Sequence, residues 1–276
     1  MGDNDFAGAT RRSVLARGLA VSALAALPVL GASAAKAASF TRVIDLTHLI
    51  VPAPSPVPSP AAAGGRGGQV NFAMEATRTY DKDHMNINRW TLIEHSGTHI
   101  DAPLHFSANG PSLDTIALND LVVPLVLIDI SKRAADNPET AVMIDDIKAW
   151  EAANGALPAG CCVIMNSGWG VRFGTPTANG RGADGKGHVP GFHIDTAHFL
   201  MSERNVKGIG VDTSSLDQGS LASTYPVHNA WLPSGRWGLE NLASLELVPA
   251  HGATLVVGAM KVKGATGGPA RVMALV

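Results

Sequence analysis

Short apolar runs recur along the chain after residue 40 and predict β-strands, because buried strands read as brief, nearly continuous hydrophobic stretches. The clearest run is LVVPLVLIDI at 121–130, whose unbroken apolar character is typical of a strand covered on both faces. Three further segments predict helices, the last of them a short helix or turn. The predicted strands are 41–48, 86–93, 121–130, 160–165, 206–211 and 252–261, and the predicted helices are 145–154, 195–204 and 226–232.

The order of these elements indicates a single mixed α/β domain. Strands and helices alternate irregularly and no segment repeats, which excludes a sandwich or a bundle. No G-x-G-x-x-G sequence follows the first strand, so a Rossmann-type dinucleotide site is unsupported. Two stretches rich in Gly, Pro and small polar residues interrupt the pattern: 52–68 is predicted to be a loop or flap, and 174–191 a surface loop.

Residues 1–38 have the anatomy of an export signal. Arg11 and Arg12 precede an apolar run at 18–34, and the A-x-A sequence 35–37 follows it. Paired arginines before a moderately hydrophobic segment and a small-residue cleavage site are typical of twin-arginine export. A membrane anchor is the alternative, but a run of about 17 residues is barely long enough to cross a bilayer. We therefore expect a mature domain over 39–276 that is periplasmic or secreted.

Composition narrows the class of partner. Of the 276 residues, 46% are hydrophobic and 16% charged, and the net charge is −2. This balance allows a sizeable core but gives no electrostatic footprint for nucleic acid or an anionic membrane. A small molecule is the expected partner. The adjacent Cys161 and Cys162 lie in an apolar run and are predicted to be core residues without a disulfide.

The stretch HSGTHIDAPLHF carries the densest polar chemistry of the chain. It places His95, His99 and Asp101 in an H-x3-H-x-D pattern, and His105 follows Asp101. On a regular strand the Cα atoms of the two leading histidines would be about 13 Å apart, near the limit for two imidazoles on one metal. A bend is therefore predicted, and Gly97 is the residue that permits it.

Imidazole and carboxylate groups together favour zinc, manganese or iron(II), whereas calcium and magnesium favour oxygen ligands. The alternative is a polar loop whose histidines form hydrogen bonds with nearby backbone. Three histidines and an aspartate at this spacing favour the metal site.

The same stretch resembles the H-x-G-T-H-x-D-x-P-x-H signature of the cyclase family, a group of metal-dependent hydrolases that contains bacterial kynurenine formamidases and isatin hydrolases. Three other segments are similar to family motifs: VIDLTH at 43–48, KGIGVDTSSLD at 207–217, and the segment 225–242 from YPVH to GLENL. The resemblance covers most of 41–276 and implies the family's swivelling β/β/α fold and a homo-oligomer, a dimer or tetramer.

Carried over residue by residue, the resemblance implies a metal site formed by His95, His99 and Asp101. It further implies a second site, to which Asp101 bridges and to which His228 and Glu240 contribute. Some members of the family work with a single manganese ion, so the resemblance allows one or two ions of Zn²⁺ or Mn²⁺.

The resemblance also matches His105 to the family's general acid/base. The expected function is a metal-dependent amidohydrolase that cleaves the C–N bond of a small aromatic formamide or cyclic amide with metal-activated water, His105 taking and returning the proton. A lyase, cyclase or lactonase using the same site, and a non-catalytic periplasmic ligand-binding protein, are the alternatives. The absence of a G-x-S-x-G elbow disfavours serine hydrolysis.

Structural roles are predicted for the remaining polar and aromatic candidates. Asp212 and Asp217 are expected to anchor the loop before His228 through hydrogen bonds. Trp231 and Trp237 are expected to pack in the core. Four further histidines, at positions 188, 193, 198 and 251, are expected to be exposed or structural.

Overall fold

A ring of β-strands forms the centre of the unit that begins at Phe40. The computed structural model describes residues 40–52 and 72–276. The strands are β1 (Val43–Asp45), β2 (Phe72–Arg78), β3 (Ile87–Leu92), β4 (His99–Asp101), β5 (Val122–Asp129), β6 (Ala141–Val142), β7 (Cys161–Asn166), β8 (Gly191–Phe192), β9 (Val206–Val211), β10 (Trp237–Glu240), β11 (Thr254–Ala259) and β12 (Gly267–Leu275); the helices are α1 (Tyr80–Asp83), α2 (Ser131–Asp136), α3 (Ile144–Asn154), α4 (Ile194–Ser202) and α5 (Pro226–Trp231).

The main sheet is mixed, and an additional pairing closes it. Its strand order is β1-β12-β11-β5-β7-β9-β10-β4, and β4 also pairs with β12. The four consecutive strands β5, β7, β9 and β10 run parallel to one another. The remaining pairings of the sheet, which involve β1, β4, β11 and β12, are antiparallel. Because β4 is hydrogen-bonded on both sides, it is fixed at the point where the ring closes.

Alternate residues of the central strands face two separate hydrophobic clusters, as the two-residue period of a strand requires. In β5, Leu125 packs in the first cluster and Val126 in the second. In β7, Cys162 packs in the first cluster and Cys161 in the second, and both thiols are free. The prediction of core cysteines without a disulfide is therefore confirmed, because the two side chains leave the strand in opposite directions.

Helices α3, α4 and α5 cover the second cluster. Each supplies a fully buried apolar side chain, Ile147, Leu200 and Trp231 respectively. Trp237 packs in the first cluster, so both tryptophans occupy the core as predicted. Among the described residues, no helix combines the length and the apolar character needed to cross a membrane.

The predicted mixed α/β fold is confirmed, and the main strands begin and end close to their predicted bounds. The first predicted strand is shorter, because after β1 only the bridge between Thr47 and Leu242 continues the pairing. The elements not predicted from the sequence are β2, α1, β4, α2, β6, β8, β10 and β12. The predicted export signal and all but the first residue of the predicted loop 52–68 lie outside the described residues.

Candidate active site

The motif histidines lie where β4 closes the ring. His99 and Asp101 are the first and last residues of β4, and both are buried. Gly97, just before the strand, has a φ of +64°, a left-handed conformation that favours glycine. The predicted bend is thus present, and it allows His95 to turn back towards Asp101.

Two more polar side chains reach the same place from distant parts of the chain. His228 lies on α5 and Glu240 is the last residue of β10, which pairs with β4 so that Glu240 stands opposite His99. Both side chains are buried. The ring closure between β4 and β10 therefore brings together residues that are far apart in sequence.

Asp101 is the centre of the cluster. Its Oδ1 lies 2.6 Å from Nδ1 of His95 and 3.3 Å from Nε2 of His99, and its Oδ2 lies 3.6 Å from Nε2 of His228. The Oδ2 atom is buried and has no hydrogen-bond partner within the described part of the chain. A buried carboxylate oxygen without a partner is costly, so this atom is suited to a cation.

Glu240 completes the arrangement. Its Oε2 is 3.5 Å from Nε2 of His99, and its Oε1 is 3.1 Å from Nε2 of His228. The same Oε1 accepts a hydrogen bond from the backbone N–H of Leu216 at 3.1 Å, which fixes the carboxylate. The carboxylates of Asp101 and Glu240 thus face a shared pair of imidazoles.

These donors fit a transition metal. Two ligand atoms at the usual zinc distances of about 2.0–2.2 Å stand roughly 3–3.5 Å apart around a tetrahedral ion. The separations of Asp101 from His99 (3.3 Å) and from His228 (3.6 Å) are near that range, whereas the 2.6 Å contact with His95 is a hydrogen-bond distance. The atoms form two overlapping groups, one of His99, Asp101 and Glu240 and one of His95, Asp101 and His105. This grouping differs from the one the family resemblance implies, because His99 pairs with Glu240 rather than with His95.

Contacts outside this cluster orient its imidazoles. Asp217, fully buried, accepts hydrogen bonds from the backbone N–H groups of Val227 (2.6 Å) and His228 (3.2 Å), and its Oδ2 lies 2.5 Å from Nδ1 of His228. Nδ1 of His99 lies 2.9 Å from the carbonyl oxygen of Gly97. In both rings the contact at Nδ1 leaves Nε2 directed at the carboxylates, the arrangement found around metal-binding histidines.

Two residues that support His95, Thr266 and Gly267, were not predicted from the sequence. Nε2 of His95 lies 3.0 Å from the hydroxyl of Thr266, which in turn donates a hydrogen bond to Glu94. A Cβ at Gly267 would stand 2.6 Å from the His95 ring and 2.5 Å from the carbonyl oxygen of Ile100. Only glycine fits there, but a lone Thr-Gly pair in a sequence gives no signal of this role.

The charges of the cluster raise the pKa values of two of its histidines and lower that of Asp101. Burial opposes a charge on His99, but the carboxylates of Asp101 and Glu240 outweigh it and raise the His99 pKa to about 9. Burial also opposes a charge on His228, yet its hydrogen bonds to carboxylates hold its pKa well above the ordinary value. The surrounding histidines offset the burial of Asp101 and keep its pKa well below the ordinary value.

His105 differs from its neighbours. It lies in the 3₁₀ turn Pro103–Phe106, and its ring stacks on His95 with 3.7 Å between ring centroids. Burial and the neighbouring histidine charges lower its pKa to about 4, against the opposing charge of Asp101. His105 is therefore a neutral imidazole at neutral pH.

The cluster lines a cavity of about 610 Å³, within the usual range for small-molecule sites. Ile93, Phe106, Val189 and Tyr225 contribute apolar surface to it. The Gly-rich loop between β7 and β8 also lines this cavity, so the segment predicted to be a surface loop is part of the site's surroundings.

The remaining candidates lie elsewhere. The prediction for Asp212 is wrong: its carboxylate accepts hydrogen bonds from residues of the turn after β7, namely the backbone N–H groups of Ser167, Trp169 and Gly170 and the hydroxyl of Ser167. Asp217 has the predicted role. His193 accepts a hydrogen bond from the backbone N–H of Asp195 at the start of α4, and the histidines at 198 and 251 are exposed.

Comparison with known proteins identifies the class. A family model described as "Putative cyclase" matches residues 44–218, more than half of the chain. The chain therefore belongs to the cyclase family.

Its relatives are hydrolases of carbon–nitrogen bonds. The isatin hydrolase of Roseibium aggregatum is 35% identical over 206 residues, which cover 71% of this chain and 78% of that protein. The kynurenine formamidase of Salinibacter ruber is 30% identical over 220 residues, covering 77% and 91%. The solved isatin hydrolase A from Labrenzia aggregata, bound to benzyl benzoate, superposes with a TM-score of 0.75 at 35% identity, covering 85% of this chain and 93% of that one.

A further solved isatin hydrolase, bound to the product analogue thioisatinate, superposes with a TM-score of 0.74 at 32% identity and covers 85% of this chain and 92% of that one. The protein is accordingly a metal-dependent hydrolase that acts on carbon–nitrogen bonds other than peptide bonds.

Proposed function

We propose that this protein hydrolyses a small aromatic formamide or a cyclic amide, using one or two Zn²⁺ or Mn²⁺ ions held by His95, His99, Asp101, His228 and Glu240. The observation that carries the proposal is the convergence of these side chains on Asp101, whose Oδ2 is buried without a hydrogen-bond partner in the described residues. Names of relatives support the bond type.

A divalent cation held by these residues would supply a Lewis acid that polarises the substrate carbonyl and lowers the pKa of the attacking water, so that the water loses a proton more easily and becomes a better nucleophile. The protein's own contribution is orientation. Asp217 and Gly97 hold the rings of His228 and His99, and Leu216 holds Glu240, so the ligand atoms are in place before substrate binds.

His105 is proposed as the general acid/base. Its ring lines the cavity beside the cluster and is stacked on His95, a position from which it can take a proton from the attacking water. Returning that proton to the nitrogen completes the cleavage, because an amide nitrogen leaves readily only as an amine. Loss of such a group typically costs about 10²–10⁴ in rate.

The cavity supports a planar aromatic substrate. Phe106 and Tyr225 lie 5.5 Å apart between ring centroids, and Phe106 also lies 4.8 Å from the His228 ring. An aromatic amide with its carbonyl at the cluster would contact this surface through its ring.

The test is product analysis with His105→Ala as the diagnostic variant. Metal-loaded protein should convert formanilide to formate and aniline, or isatin to a ring-opened product that carries one carboxylate and one amine. His105→Ala should retain its metal and lose about 10²–10⁴ of the turnover. Turnover without release of an amine would indicate a lyase or lactonase, and substrate binding without turnover a binding protein. Loss of metal from His105→Ala would make His105 a ligand rather than an acid/base.

We also propose export through the twin-arginine route, supported by Arg11, Arg12 and the apolar run 18–34. The variant Arg11→Lys/Arg12→Lys should remain in the cytoplasm, whereas its periplasmic appearance would contradict this route.

A homo-oligomer is proposed as well. An apolar groove of about 290 Å³ lies beside the β2–β3 hairpin, lined in part by Met74, Trp90 and Met260, and Trp90 is 62% exposed. Exposed apolar surface of this kind is typical of an interface. Sedimentation of the purified protein should give at least a dimer; a monomer at micromolar concentration would contradict the proposal.

A further inference from the structure

Two cationic side chains line the same cavity as the candidate site. Arg181 and Lys186 both belong to the Gly-rich loop between β7 and β8, and within the described part of the chain they are the only arginine or lysine residues in the lining. Both residues are exposed. A substrate in this cavity therefore meets carboxylates and imidazoles from one set of residues and two fixed positive charges from another.

Among the described residues, neither cation forms a direct ion pair with a carboxylate, although the charge of Lys186 helps to lower the pKa of the nearby Asp184. Arg181 donates a hydrogen bond to the carbonyl oxygen of Gly185 at 2.9 Å, a contact that leaves its charge uncompensated. Other arginines of the protein pair directly with acids: Arg133 with Asp146 and Arg204 with Glu151. No ion pair within 4.0 Å is formed by Arg181 or Lys186 among the described residues.

The single acid of this loop is engaged internally. Asp184 lies with its Oδ1 3.0 Å from Nε2 of His188, whose Nδ1 is 2.7 Å from Oε1 of Glu139. Glu139 also accepts a hydrogen bond from the hydroxyl of Ser220, a residue of the cavity lining. This network ties the loop to two neighbouring segments, so the two cations are presented on an anchored backbone.

We propose that Arg181 and Lys186 recognise a carboxylate on the substrate, so that the enzyme prefers aromatic amides carrying an anionic group away from the scissile C–N bond. The proposal rests on the amidohydrolase function proposed above and specifies its substrate class. An arginine fork and a lysine ammonium are the side chains that bind carboxylates through charge-assisted hydrogen bonds. The proposed metal ligands include the carboxylates of Asp101 and Glu240, which would repel a second anionic group of the substrate. That group is therefore expected to lie at the loop that carries Arg181 and Lys186.

Arg181 and Lys186 are expected to affect substrate binding rather than the rate of the chemical step. Because the two cations contact a part of the substrate that does not change during the reaction, they stabilise the ground state and the transition state equally and act on KM rather than on kcat. Because both are exposed, their effect should weaken in salt. Two exposed charge pairs are together worth about 5- to 30-fold in affinity.

The experiment compares two substrates that differ in one carboxylate, formanilide and 4-formamidobenzoate, with metal-loaded wild type and the variant Arg181→Ala/Lys186→Ala. Wild type should show the lower KM for 4-formamidobenzoate, and the variant should raise that KM about 5- to 30-fold with little change in kcat. The KM for formanilide should not change. About 0.5 M NaCl should reduce the preference of wild type only.

Two control variants separate recognition from folding. Lys132→Ala/Lys263→Ala removes the same charge from exposed sites outside the cavity lining and should leave both KM values unchanged. Arg181→Lys/Lys186→Arg keeps the charge and should keep the preference. An equal loss for both substrates in Arg181→Ala/Lys186→Ala, or no loss for either, would overturn the inference.

A binding measurement separates this inference from the proposed function. Calorimetry with 4-carbamoylbenzoate and benzamide requires no turnover, and the alanine variant should weaken only the anionic ligand. If no substrate is hydrolysed but this difference is found, the hydrolytic proposal fails and the recognition site stands. If hydrolysis is found and the variant binds both ligands as wild type does, the recognition site fails alone.

Discussion

Replacing Asp217 with asparagine should weaken metal binding although none of the proposed metal ligands is substituted. The carboxylate accepts hydrogen bonds from two backbone N–H groups, those of Val227 and His228, and lies 2.5 Å from Nδ1 of His228. An asparagine amide has one acceptor oxygen and one NH₂ group. In either orientation of the amide, the NH₂ group faces a position that held a donor, so the His228 ring loses its fixed tautomer or its fixed direction.

The size of the effect follows from the number of contacts at stake. Loss of a hydrogen-bond partner behind a metal-binding histidine typically lowers metal affinity about 10- to 100-fold, which corresponds to about 1.4–2.8 kcal/mol. Asp217 is fully buried and contacts both the ring and the backbone of His228, so we expect the upper part of this range.

Chelator competition on the folded variant measures this affinity, and circular dichroism checks the fold. Asp195→Asn is the matched control, because Asp195 lies 3.5 Å from Nδ1 of His193 but is 73% exposed and outside the cluster. Wild-type affinity in Asp217→Asn would refute the argument that this carboxylate orients His228. An equal loss in Asp195→Asn would point to a general charge effect instead.

Three further outcomes are expected. Metal binding at about pH 7.5 should release at least one proton, because His99 has a pKa of about 9 and must lose its proton before Nε2 can bind the metal. Calorimetric heats that do not depend on the buffer's ionisation enthalpy would contradict this. The His188 pKa is raised by Asp184 and also by Glu139. The stabilisation from these contacts is complete below about pH 6.5 and is lost as pH rises through the raised pKa. Nuclear magnetic resonance should show a lower His188 pKa in Glu139→Gln, and an unchanged titration would argue against the network. Gly208→Ala places a Cβ 2.3 Å from the Trp237 ring and should lower the free energy of unfolding by about 1–3 kcal/mol, measured by urea denaturation; an unchanged midpoint would contradict this packing.

The sequence predicts most of the sheet because its central strands are apolar on both faces. β5 and β7 contribute alternate residues to two clusters, so their runs are unbroken and easily found. β12 was missed because it begins with Gly267, Gly268 and Pro269, residues that usually mark a turn. In the fold these residues pair with β4 at the ring closure, a position that only the tertiary structure defines.

The candidate site divides in the same way. Local spacing alone predicts a bend at Gly97 and the grouping of His95, His99 and Asp101, since these residues lie in one short stretch. His228 and Glu240 followed only from the family resemblance, because nothing in their spacing relates them to β4. Thr266 gave no signal at all. The prediction for Asp212 failed because its hydrogen-bond donors, from Ser167 onward, follow β7, whereas Asp212 itself follows β9. The two strands are neighbours in the sheet but are distant in sequence.

The central claim is that the cluster around Asp101 binds the metal on which hydrolysis depends. The most direct measurement is the metal content of the purified protein and of Asp101→Ala, determined by inductively coupled plasma mass spectrometry alongside turnover of the same samples. We expect at least one equivalent of a transition metal in the wild type, and loss of most of that metal together with the activity in the variant. A full complement of metal in folded Asp101→Ala would contradict the account.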